Sequence, residues 1–155
     1  MQGTPINGSD LMVFLKGAGD TYNSIAFATS HSLSLSTETV ETSSKDTGGK
    51  WVAQAPRKLS WTTTTENLFA VEGEGKVFDD LFTLWTGRTE VELVFSLEKD
   101  YETKADEVPT GGWTPITTGQ YKGKAIITSL EVNAPNGDNA TFTATFTGVG
   151  ALTKV

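Results

Sequence analysis

The sequence contains no cysteine and a single histidine, His31. Disulfides, thiolate nucleophiles, haem attachment and cysteine-based zinc sites are thereby excluded, and a histidine-rich metal site cannot form within one chain. Charge is also scarce: only 20% of residues are charged, and 19 acids against 12 bases leave a net charge of -7. Such a balance works against binding that depends on neutralising phosphates. No run approaches the ~18 apolar residues of a membrane span. The opening Met1-Gln2-Gly3-Thr4-Pro5 lacks the basic and apolar regions of a secretion signal, so a soluble product kept in the cytoplasm of its producing cell is expected.

What takes the place of charged and apolar residues is neutral and polar, above all 25 threonines in 155 residues. Threonine favours strands, and the length suits one domain. Period-two alternation is the main structural signal. Asp10 to Lys16 reads as a short apolar strand and Ile25 to Thr29 as a second. From His31 to Val40, Leu33 and Leu35 oppose Ser32, Ser34 and Ser36; from Lys58 to Thr65, Leu59 and Trp61 oppose Ser60, Thr62 and Thr64. Glu90 to Ser96 places Val91, Leu93 and Phe95 inward. Near the end, Phe142, Ala144 and Phe146 oppose Thr141, Thr143, Thr145 and Thr147, and Asn136-Gly137 predicts a type I′ hairpin back to the run Lys124 to Val132.

One segment has helical spacing: Val77, Phe78, Leu81, Phe82, Leu84 and Trp85 form an apolar stripe, with Asp79 and Asp80 in the first turn and Gly87 as C-cap. That helix should cover one face of the sheet. Two connections, about 41–57 and 98–119, are long for so small a domain, and loops beyond ~12–15 residues are commonly functional or disordered. The first mixes both charges with Trp51, a composition suited to an interface.

The search for chemistry returns little. His31 starts an alternating strand without a visible triad; the pairs Glu72/Glu74, Asp79/Asp80 and Glu90/Glu92 read as solvated surface; Glu72 to Lys76 lacks P-loop spacing. No enzyme, cofactor or metal site is expected. Trp51 and Trp113 leave open a monomeric carbohydrate-binding module. The positive feature is a polar face built almost wholly of serine and threonine, where a half-exposed sheet ordinarily shows Lys, Glu and Arg. A wet, smooth, nearly uncharged surface on an acidic protein suits a channel for a polyanion, because ion pairs would hold the cargo in place.

The chain resembles the major tail tube protein of long-tailed bacteriophages. The likeness rests on the opening strand Asp10 to Leu15, on Ile25 to Ser36, on Val40 to Gly48 ahead of a tryptophan, on Leu59-Ser60-Trp61, on Phe78 to Leu81 and on Gly123 to Glu131. It implies a mainly β fold, a small sandwich or half-barrel with one helix, in hexameric rings stacked into a tube that conducts the genome. Tubes of contractile injection systems are the near alternative. The implied partners are further copies of the chain, together with tape measure, tail terminator and baseplate proteins, and double-stranded DNA passes without specific binding. The implied place is the virion tail, assembled in the host cytoplasm, with no membrane contact. The long loop at 41–57 matches the family's inter-ring loop, which makes Ser43, Ser44, Lys45, Asp46 and Trp51 the expected contacts. Loop 98–119 matches nothing in the family pattern.

Overall fold

The computed structural model describes residues 5–6, 8–16, 21–42, 49, 51–72, 76–98, 113–116 and 119–155. The strands are Leu11–Lys16 (β1), Tyr22–Ser24 (β2), Ala28–Glu41 (β3), Gln54–Leu68 (β4), Val91–Leu97 (β5), Tyr121–Asn133 (β6) and Thr141–Lys154 (β7), with the helix Phe78–Thr86 (α1) between β4 and β5. They form one antiparallel sheet in the order β2-β1-β5-β6-β7-β4-β3. The expected mainly β architecture with one helix is what the structure has.

Connectivity forces this sheet to curl. Ser24 ends β2 at one edge and Ala28 starts β3 at the other. Four residues span at most about 14 Å, whereas the edges of seven flat strands stand about 29 Å apart. The two edges must therefore approach each other, and β1 indeed touches β3. Of the strand that alternation predicts from Ile25 to Thr29, only Ala28 and Thr29 belong to β3, and Ile25 to Phe27 form a corner: Phe27 takes φ of 57°, and Ala26 N–H donates to Lys76 O (2.7 Å). Alternation records side-chain pattern and is blind to such a turn.

Inside the curl lies the core. Val13, Leu15, Val91, Leu93, Phe95, Ala125, Ile127, Phe142, Ala144, Phe146 and Trp61 pack together beneath Leu81 of α1. Trp61 lies flat over glycines: a Cβ on Gly123 would stand 2.5 Å from its ring and one on Gly148 closer still, and its Nε1–H donates to Gly150 O (3.2 Å). β1 and β5 are buried on both faces, since the opposed pair Phe14 and Val94 is fully enclosed on the side away from the core. That explains why β5 reads as a nearly continuous apolar run.

The helix begins as its acids predict, with Asp80 accepting from Val77 N–H (3.0 Å). It departs from expectation in two places. Trp85 is 46% exposed and Phe82 48%, so the outer part of the apolar stripe finds no cover within the described residues. Gly87 stays right-handed (φ -75°), and the left-handed residue is Arg88 (φ 52°). The β6–β7 hairpin forms with Asn133 opposite Thr141, but of Asn136 and Gly137 only Gly137 has positive φ (83°), so the turn is not type I′.

Candidate functional site

The hydroxyl residues of β3, β4, β7 and β6 fall into register. Ser32, Thr64, Thr145 and Ser129 form one row of directly opposed residues across four strands. Ser34, Thr62 and Thr147 form the next, Ser36 faces Ser60, and Thr141 faces Leu68 and Asn133. Thr128 Oγ1 lies 3.0 Å from Thr147 Oγ1 and extends the second row. All ten residues expected on the polar face thus share one surface, opposite to Phe142, Ala144 and Phe146.

Two acids belong to the same face. The row Ser30, Glu66, Thr143 and Glu131 sets two exposed carboxylates on either side of a threonine. On β4, Glu66 lies one alternation step beyond Thr64, past the run Lys58 to Thr65 that the sequence marks as a strand, and the face of Glu131 is hidden in the sequence because β6 changes register between Ile127 and Ser129. That bulge inverts the alternation: Ala125 and Ile127 point to the core before it and Leu130 after it. No lysine or arginine occupies these rows.

The second feature is a two-stranded arm. β4 pairs with β7 only from Thr62 to Leu68, while its pairing with β3 continues to Gln54 opposite Glu41. Residues 54–57, expected in a loop, therefore belong to β4, and the tip is closed by Thr42 N–H donating to Ala53 O (2.8 Å). Leu35 and Leu59 were expected in the core. They stand on the core side but are 69% and 78% exposed, since β7 ends its pairing before it reaches them. Trp51, near the tip, is 90% exposed. Ser43, Ser44, Lys45 and Asp46 lie outside the described residues, as does most of 98–119. The Arg57–Glu38 pair (3.9 Å, both more than half exposed) contributes little to stability.

Beneath the hydroxyl face, the core side of β3 and β4 is unusually polar. Thr63, Thr65 and Asn67 are fully buried, Asn67 Nδ2 donates to Thr65 Oγ1 (3.0 Å), and His31 stands opposite Thr65. Burial lowers the His31 pKa to about 4, which keeps the ring neutral near pH 7. Among the described residues no group of three or more His, Asp or Glu could hold a metal, and no helix is long and apolar enough to cross a membrane. Trp113 is half-buried, with its backbone N–H on Ser24 Oγ (3.2 Å).

The structure is similar to the tail of an empty gene transfer agent particle with C6 symmetry, at TM-score 0.74 and 18% identity over 97% of this chain and 99% of that one. It is similar to the SPP1 tail tube at TM-score 0.67, 11% identical over 97% of this chain and 79% of that one. The sheath-tube complex of an extracellular contractile injection system follows at TM-score 0.58, with 19% identity over 97% and 93%. No curated protein matches in sequence. Residues 5–154 match the phage tail tube protein family, and the chain belongs to that family: it is a structural subunit of a phage tail tube.

Proposed function

We propose that six copies close into a ring in which β6-β7-β4-β3 of each subunit forms part of the channel wall, and that Ser32, Ser34, Ser36, Ser60, Thr62, Thr64, Thr141, Thr143, Thr145 and Thr147 face the bore. The observation that carries this is the register match of serine and threonine across four strands. Four is an even number, so β3 of one copy runs antiparallel to β6 of the next and the sheet continues without a break in alternation. Two edges support that junction: among the described residues, nothing pairs with the far side of β3, nor with β6 beyond Ala125. Six such units give 24 strands, which at about 4.8 Å spacing and a tilt of about 40° make a barrel about 48 Å across at the backbone. That bore is wider than a DNA duplex.

Neutral hydroxyls hydrate the passing genome without binding it, and Glu66 and Glu131 add mild repulsion. The arm reaches the adjacent ring, and Ser43, Ser44, Lys45, Asp46 and Trp51 make the contact there. Tape measure, terminator and baseplate proteins are its further partners, and assembly takes place in the host cytoplasm before the tube becomes part of the virion tail. The role is mechanical and not catalytic. Electron microscopy of concentrated protein tests the ring: six-fold rings or tubes with an open bore are expected. A protein that remains monomeric and binds glycans through Trp51 and Trp113 would contradict it.

A further inference from the structure

We propose that the groove between α1 and β6 is filled by Leu35 and Leu59 of the adjacent copy in the same ring. The inference rests on the ring reading above and names the contact that closes it. The groove measures about 490 Å³ and is lined by Leu84, Trp85, Thr86, Arg88, Thr89, Ile126 and Ile127. It opens beside the stretch of β6 that β5 leaves unpaired after Ala125. Its wall includes Trp85, which is 46% exposed among the described residues.

The occupant is read from the opposite edge. Leu35 and Leu59 stand on the core side of the arm, the side on which α1 lies over β6. Leu35 is paired with Trp61, whose ring lies over Gly148, and Gly148 is paired with Ala125, so Leu35 sits about level with the residue before Ile126. Rotation about the ring axis brings the Leu35 edge of one copy alongside the β6 edge of the next, a head-to-tail contact that closes on itself. The groove would then receive two leucines that each subunit otherwise leaves in water.

Charge agrees with this pairing. Among the described residues that line the groove, only Arg88 is charged, while the charged residues of β3 are Glu38 and Glu41. Arg88 also holds a left-handed backbone that glycine would adopt at lower cost. Retention of a side chain at such a position points to a use for it, and a carboxylate of the incoming β3 supplies one.

The absence of cysteine makes the test direct. Within one chain, Trp85 lies on α1 against β6, and β6 is separated from β3 by β7 and β4, about 14 Å along the sheet and beyond the ~7 Å limit for a disulfide. In assembled tubes, the double variant Leu35→Cys with Trp85→Cys should give, on oxidation, a covalent ladder ending at six chains, and neither single variant should. Leu35→Lys should keep the melting temperature of the monomer and lose assembly. Arg88→Gly should melt at the same or a higher temperature yet need several-fold more protein to assemble. Normal tubes without a ladder, together with unimpaired assembly of Leu35→Lys, would overturn the groove contact and leave the ring intact. Wild-type protein that forms no rings under any condition would remove the ring reading and this inference with it.

Discussion

Trp61 shows how much one side chain can organise. Its ring covers Gly123 and Gly148, so three strands meet at a spacing that only glycine permits. Gly148→Ala should therefore destabilise the monomer by about 1–3 kcal/mol through overpacking, as read from urea unfolding followed by tryptophan fluorescence. An unchanged midpoint would mean that the indole moves aside freely. His31 makes a second prediction. Its pKa is lowered from 6.5 to about 4 by burial, so between those values the unfolded chain binds a proton that the native one does not. Stability should then fall as pH drops from about 6.5 toward 4 and depend less on pH above that window. His31→Gln should flatten this slope in thermal melts taken across the window.

At the scale of elements, the arm is the part whose removal should be least costly to the fold. Among the described residues its outer half pairs only with itself, and Thr42 N–H donates to Ala53 O near its tip. Deleting 42–50 should leave a monomer that melts as the wild type does and no longer stacks into long tubes. Tubes of normal length from that deletion would show that stacking lies elsewhere. The strands themselves were legible, because hydroxyl and apolar residues alternate cleanly along β3, β4 and β7. So was the polar face, for the same reason. Leu35 and Leu59 were misread because alternation tells which face a residue takes but not whether a neighbouring strand extends far enough to cover it. Glu66 was missed because the hydroxyl run that marks β4 in the sequence stops at Thr65, and Glu131 because the bulge in β6 shifts parity without any glycine or proline to mark it. The corner at Phe27 carries the same alternating pattern as a strand, and its positive φ shows only in three dimensions.

For the whole molecule, the proposed ring joins a curled sheet, two edges unpaired among the described residues and a neutral face into one wall segment of a channel. An isolated subunit with such edges is prone to edge-to-edge association, and ring closure hides them. Converting Thr143 and Thr145 to Lys would add two positive charges per subunit on that wall. Tubes should still assemble, and genome release should slow, most strongly at low salt where screening is weakest. Release at the wild-type rate in low salt would count against a lumenal position. The central claim, that the serine and threonine rows face the bore, is tested most directly by a cryo-EM reconstruction of the assembled tube. The account predicts Ser32, Thr64, Thr145 and Ser129 side by side on the inner wall of a continuous barrel, with α1 outside it. Finding those side chains on the outer wall, or buried between rings, would contradict it.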